Sequence, residues 1–123
     1  MPDCPVTVVL PCLDEAASLP AVLAALPAGY TALVVDNNST DGTAEVARRL
    51  GAEVVAESRP GYGSAVHAGV VAAATPIVAV LDADGSLDPG ELPALVDDVE
   101  CGADMAIGRT GSWWPMSSST RSY

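Results

Sequence analysis

Neither lysine nor phenylalanine occurs in the 123 residues of the chain, and aromatic side chains make up only 4% of it. Without phenylalanine the core must be assembled from Val, Leu and Ala, short side chains that suit helices packed closely on a sheet. Without lysine, a Walker-type phosphate loop is excluded, since its lysine is the group that reaches the phosphates. The basic residues are five arginines against 16 acids, for a formal net charge of −11. Such a surface repels phosphodiester backbones and argues against nucleic acid as a partner. A phosphate ligand would need help from a metal ion or from helix N-termini.

Cysteine is scarce too. Cys4, Cys12 and Cys101 are too few and too scattered for a disulfide framework or a zinc site, and read as small buried hydrophobes in a reducing compartment. The first residues carry no basic n-region and reach acid before a full apolar segment develops, so no signal peptide is expected. The longest apolar run, Ala65 to Leu81, is interrupted by His67 and by Thr75-Pro76. It also falls short of the roughly 20 residues that span a bilayer. The expectation is a cytoplasmic protein with no transmembrane segment.

What the sequence does contain is alternation. Apolar, β-branched runs at 5–11, 31–36, 53–57, 76–82 and 104–108 read as strands. Between them, LDEAASLPAVLAALP spaces Leu19, Val22, Leu23 and Leu26 as a helix does, with acids in its first turn and Pro20 early. NNSTDGT is turn chemistry leading into the helix TAEVARRLGA, with Thr40 or Asp41 as N-cap and Gly51 as C-cap. An alanine-rich helix is expected over 64–74, and another from Asp88-Pro89 through ELPALVDDVECG. Strand and helix alternate throughout, and the strands are apolar on both faces. That implies an α/β fold with a mostly parallel sheet covered by helices on both sides. TGSWWPMSSSTRSY, residues 110–123, continues none of this rhythm and reads as a poorly ordered tail after a domain of residues 1–109.

In such a sheet, ligands gather at the carboxyl ends of the strands. There lie Pro11 to Glu15, Asp36 to Ser39, Glu57 to Gly63 and Asp82 to Ser86. The stretch VAVLDADGSLDP ends an apolar strand in two carboxylates one residue apart, Asp82 and Asp84. A loop leaving a strand can turn both towards one point, where Mg²⁺ or Mn²⁺ accepts two carboxylate oxygens and fills its shell with water and substrate phosphates. The plain alternative is two separately solvated acids. A calcium EF-hand loop starting at Asp82 fails, because Leu87 and Pro93 stand where glycine and glutamate are needed. A dinucleotide fingerprint in PGYGSAV fails at Val66, its third glycine position.

Taken in order, the motifs resemble those of family-2 glycosyltransferases of the GT-A fold, akin to polyprenyl- and dolichyl-phosphate mannosyl- or glucosyltransferases. VVLPCLDEAASL resembles the opening strand with its P-x-x-N-E signature, and VVDNNSTDGT resembles V-V-D-D-x-S-x-D-G-T. RPGYGSAVHAG is similar to the R-x-G-x-G-x-A loop and helix, VAVLDADGSLDP to the metal-binding D-x-D, and MAIGR to the next strand with its arginine. The resemblance covers about residues 5 to 109. It implies a Rossmann-like nucleotide-diphospho-sugar transferase fold, here incomplete at its C-terminus.

By that resemblance the chain would bind a UDP- or GDP-linked sugar through Mg²⁺ or Mn²⁺. Asp82 and Asp84 would hold the metal, Asp84 as the more direct ligand. Pro11, Leu13 and Glu15 would line the nucleoside pocket, with Asp36 and Asn37 near base or ribose. Gly63 would permit close approach of the backbone, Ala83 would lie between the metal ligands, and Arg59 and Arg109 would contact phosphate. The acceptor is open, a polyprenyl phosphate being one candidate, and no catalytic base is identified. Ser86 stands where some relatives place a further metal ligand; Asp14 and Asn37 depart from the family pattern. His67 reads as a helix-surface or packing residue, and Tyr62 as a base-stacking or ordinary loop residue. Two alternatives stand beside transfer. One is a non-catalytic donor-binding remnant that associates through a sheet edge or Trp113-Trp114. The other is a phosphatase of the haloacid-dehalogenase type, whose first motif DADGSL also resembles.

Overall fold

In the computed structural model, residues 5–85, 89–91, 93, 104–109 and 112–117 are described. Six strands form one sheet: β1 (Val6–Cys12), β2 (Tyr30–Asp36), β3 (Glu53–Ala56), β4 (Ile77–Leu81), β5 (Asp104–Arg109) and β6 (Ser112–Ser117). Their order is β3-β2-β1-β4-β5-β6. The first five run parallel, and β6 is antiparallel to β5. Helices α1 (Leu19–Ala25), α2 (Thr43–Arg49) and α3 (Tyr62–Ala72) connect the first four strands.

The centre of the sheet is apolar on both faces because both are covered. All five residues of β4 are buried, as are six of the seven in β1. Alternate side chains go to opposite sides. Val8 and Leu10 of β1 pack with Leu19, Val22 and Ala47, beneath α1 and α2. Val9 packs with Val35, Val80, Ala65 and Val66, beneath α3. Each fully buried valine or leucine contributes roughly 1.5–3 kcal/mol, and this two-sided burial is the main force holding the sheet. Thr7 is the polar exception in β1; its hydroxyl is 2.7 Å from that of Thr75. Close packing of α3 depends on Gly69, where a Cβ would sit 2.3 Å from Val9 Cγ1.

The ends of α2 show why it stops where it does. Gly51 is left-handed at φ 91°, the Gly51 N–H donates to Arg48 O, and the Ala52 N–H donates to Ala47 O. This pair of bonds is the Schellman arrangement, which satisfies carbonyls the helix itself leaves open. Glu45 in the first turn and Arg48 and Arg49 in the last complement the helix dipole.

Helix α3 (Tyr62–Ala72) lies two residues earlier than the expected 64–74, and three other boundaries differ from the sequence expectation. Helix α1 begins only at Leu19 with no acid in its first turn, because Asp14 and Glu15 are occupied in the preceding loop. Helix α2 is capped by Gly42 at φ 83° rather than by Thr40 or Asp41, although an Asp41 oxygen still accepts from the Thr43 N–H at 3.1 Å. Within the stretch read as a tail, Ser112–Ser117 forms β6, paired from Arg109↔Ser112 to Asp104↔Ser117. Pro115 is tolerated there because β6 is an edge. Beyond β4, a short 3₁₀ turn covers Pro89–Glu91; the rest of the helix expected over 91–102 lies outside the described residues apart from Pro93. Cys4, Cys101, Ser86 and Asp88 lie outside them as well. Among the described residues, no helix is long and apolar enough to cross a membrane.

Candidate functional site

Strand order reverses at β1: the chain goes from β1 outward to β2 and β3, then returns to place β4 on the other side. The crevice beyond the carboxyl ends of β1 and β4 is therefore where an open α/β sheet receives a ligand. A cavity of about 420 Å³ opens there. Pro11, Cys12, Leu13 and Glu15 enter it from the end of β1 and its loop, and Asp82, Ala83 and Asp84 from the end of β4. Asn37, Gly61, Tyr62 and Ala65 complete it. Leu13 is 56% exposed and Tyr62 40%, so the cavity presents an apolar and an aromatic side chain to solvent alongside its acids. A second cavity of about 390 Å³ opens near the ends of α1 and α2.

The loop after β1 is fixed by the loop after β2. Asp14 adopts φ 57°, its N–H donates to Ser39 Oγ at 2.9 Å, and its Oδ1 accepts from the Thr40 N–H at 2.7 Å. The Glu15 N–H donates to Thr43 Oγ1 at 3.1 Å, and the Ala16 N–H to Asp41 Oδ2 at 3.1 Å. Asp41 Oδ1 also takes the Thr43 hydroxyl proton, and this bond, foremost among its partners, holds the Asp41 carboxyl below its ordinary pKa. The NNSTDGT stretch thus works as a clamp that sets Leu13 and Glu15 at the cavity. Asp14 stands where the family pattern has asparagine, and both residues tolerate the left-handed backbone required.

The acidic pair is held from two sides. Asp82 Oδ1 accepts from the Tyr62 hydroxyl at 3.1 Å. Between the acids, buried Ala83 offers its carbonyl to the Ser18 hydroxyl at 2.7 Å, while that hydroxyl lies 2.8 Å from Glu15 Oε2. With a single proton the Ser18 hydroxyl donates to one of these oxygens at a time, and its bond to Ala83 O ties the β1 loop to the β4 loop. Gly85, at φ 82°, turns the chain after Asp84. Among the described residues, no group of three or more metal-ligating side chains assembles. Two carboxylates suit a hard divalent cation that keeps water and substrate phosphates in its shell, and the donor set fits Mg²⁺ or Mn²⁺ in that way.

Cys12 forms part of the floor as a neutral thiol. Burial, then the neighbouring Glu15, Asp36 and Asp41 carboxylates, push its pKa up to about 12. Its Sγ lies 3.3 Å from Leu10 O as a donor.

Other residues picked out in the sequence fall differently. Asn37 lines the cavity, yet it is only 6% exposed. Its Nδ2 donates to Glu57 O at 2.7 Å and to Arg59 O at 2.8 Å, and its Oδ1 accepts from the Gly61 N–H at 3.1 Å. Asp36, outside the cavity lining, accepts the Ser39 N–H at 3.0 Å. Gly63 lies in the first turn of α3, where a Cβ would meet nothing within 4 Å; Gly61, at φ 115°, is the glycine that faces the cavity. Arg59 is exposed, and its N–H donates to Glu57 Oε2 at 3.1 Å. Arg109 closes β5, beside the carboxyl end of β4. His67 is exposed on α3, which selects the helix surface from the two places, surface or packing, expected of it. Sequence reasoning did not single out Ser18, Gly61 or Ala65; Gly61 and Ala65 are fixed positions of the R-x-G-x-G-x-A motif, whereas no motif announces the hydroxyl contacts of Ser18.

Comparison with known proteins points one way. An uncharacterised glycosyltransferase of Mycobacterium tuberculosis is 70% identical over 114 residues, spanning 89% of this chain and 52% of that protein. Polyprenol monophosphomannose synthase of Mycolicibacterium smegmatis is 35% identical over 115 residues, 82% of this chain and 43% of the relative. The chain thus spans about half the length of the curated relatives it matches. Among solved structures, glucosyl-3-phosphoglycerate synthase from Mycobacterium tuberculosis in complex with UDP superposes with a TM-score of 0.68 at 31% identity, over 78% of this chain and 40% of that one. The same enzyme with Mn²⁺, UDP and glucosyl-3-phosphoglycerate gives 0.67 at 30%, over 77% and 39%. The sequence pattern of Glycosyl transferase family 2 matches residues 7–116, running from β1 into β6. Strand order, crevice and sequence agree, and the chain belongs to glycosyl transferase family 2.

Proposed function

We propose that this stretch is the donor-binding part of a transferase that holds a nucleotide-diphosphate sugar through Mg²⁺ or Mn²⁺ and passes the sugar to an acceptor. The observation that carries the reading is the convergence of Asp82, Asp84 and Glu15 on one cavity at the strand-order reversal, in a chain of net charge −11. So acidic a cavity takes a diphosphate only with a cation between them. Asp84 serves as the direct ligand, and Asp82 is oriented by Tyr62. Pro11, Leu13 and Glu15 border the nucleoside, Asp36 lies towards the ribose, and Gly63 and Ala83 leave room for the backbone to approach. Arg59 and Arg109 serve the phosphates from the rim. The bound cation would stabilise charge on the departing nucleoside diphosphate, an effect of several kcal/mol.

A polyprenyl phosphate is the favoured acceptor, since one relative makes a polyprenol monophosphate sugar. Its nucleophilic oxygen is already ionised, so transfer to it does not need a general base from residues 5–85. A cytoplasmic setting suits the free, buried thiol of Cys12.

Calorimetric titration of UDP, GDP and their glucose and mannose conjugates, with and without Mn²⁺, tests the proposal on this chain and on Asp84→Asn. Binding that requires Mn²⁺ and weakens at least about tenfold in the variant supports it. Binding indifferent to both cation and substitution, or no binding by a folded chain, overturns it.

A further inference from the structure

Asn37 sits where the family pattern has its second aspartate, yet its carboxamide is committed elsewhere. Both donor contacts and the acceptor contact go to the main chain of one loop, at Glu57 O, Arg59 O and the Gly61 N–H. The backbone reinforces the link, with the Glu57 N–H on Asp36 O at 3.0 Å and the Asn38 side chain on Ser58 O at 3.0 Å. The loop ends at Gly61, whose φ 115° and ψ 151° only glycine adopts comfortably. The next residue is Tyr62, whose hydroxyl holds Asp82 Oδ1. A continuous chain of contacts therefore runs from the Asn37 carboxamide through the loop to one carboxylate of the acidic pair.

We infer that Asn37 is a positioning residue: it latches the 57–61 loop so that Tyr62 orients Asp82, instead of reading the nucleobase. The chemistry is specific to an amide. Aspartate has the same shape but, when ionised, only accepts hydrogen bonds. It would set carboxylate oxygen against the carbonyls of Glu57 and Arg59 and release the loop. The inference rests on the donor-binding reading for its effect on ligand, but not for the link to Tyr62, and the test separates the two.

In ¹³C-tyrosine-labelled protein, Asp82→Asn identifies the Tyr62 resonance that feels the carboxylate. Asn37→Asp should displace that resonance in the same direction. It should also weaken Mn²⁺–UDP binding by about tenfold, the size of effect expected on losing well-made buried hydrogen bonds. Tyr62→Phe should weaken binding by a similar factor, with the double variant no worse than either single one, since both act along one chain. Gly61→Ala strains the same loop without a steric clash, its Cβ meeting nothing within 4 Å. It gives the same readouts should Asn37→Asp fail to fold. An unmoved Tyr62 resonance in the folded loop variants overturns the inference, as do additive losses in the double variant. A displaced resonance in a protein that does not bind Mn²⁺–UDP upholds the latch and removes the donor-binding reading instead.

Discussion

A methyl group added at Gly69 would lie 2.3 Å from Val9 Cγ1 and 3.0 Å from Val35 Cγ2. Both valines are fully buried between the sheet and α3, so neither can swing aside into solvent. Gly69→Ala should therefore cost about 1–3 kcal/mol through overpacking, read as a lower urea midpoint with an unchanged slope. Val9→Ala in the same chain should return part of that loss, and additive losses would show that the helix shifts instead. At this scale the legibility of the sequence depended on what a residue's partners are. Asp82 and Asp84 could be picked out because their meaning lies in their own spacing at the end of an apolar run. The contacts of Asn37 could not be read from the sequence, because its partners are two carbonyls and an N–H some twenty residues away whose placement depends on the folded loop. Gly61 and Gly63 share one glycine motif, and only the helix start at Tyr62 separates Gly61, which lines the cavity, from Gly63 in the first turn of α3.

The strands were legible from their apolar, β-branched runs, whether buried on both faces like β4 or partly exposed like β3. Strands β1 to β5 fall within one or two residues of their apolar runs, and Gly51 ends α2 as a left-handed glycine should. The helix starts were less legible, because polar residues with several options choose among them in three dimensions. Asp14 and Glu15 serve the clamp between loops instead of the first turn of α1. Asp41 braces both Ala16 and Thr43, and this has a pH signature. Its folded pKa lies below the ordinary carboxylate value, so the unfolded chain takes up the proton first on acidification. Its contribution to stability is therefore present above the ordinary value and lost as pH falls through the folded one. Melting curves of the natural chain and Asp41→Asn between about pH 6 and pH 3 should converge as pH falls, since the variant has no charge to lose. Parallel curves would mean that the clamp does not depend on the carboxylate. Strand β6 was the element the sequence concealed: SWWPMS has no apolar alternation, and only its hydrogen-bonded neighbour β5 explains it.

For the molecule as a whole, the excess of acid sets the terms on which any phosphate ligand arrives. A net charge of −11 repels a nucleoside diphosphate at distances where only the screened field matters, about 10 Å at moderate salt. In the absence of divalent cation, whatever weak affinity for UDP remains should rise as NaCl is increased, the reverse of what a basic phosphate site shows. Equilibrium dialysis with labelled UDP across a NaCl series would measure it. Affinity that falls with salt would place a local cationic patch, Arg59 or Arg109, in command of the site.

The central position of β1 also bears on how the protein can be made. Val6 pairs with Tyr30 on one side and Ile77 on the other, so β1 gains its second neighbour only after β2, β3 and the three helices between β1 and β4 have been made. Until residues 77–81 have left the ribosome, a run of valines that is buried in the folded sheet waits with one edge unpaired. During translation β1 thus keeps an adhesive edge while β2, β3 and their helices are made, and the interval before β4 arrives is when a nascent chain would most need shielding.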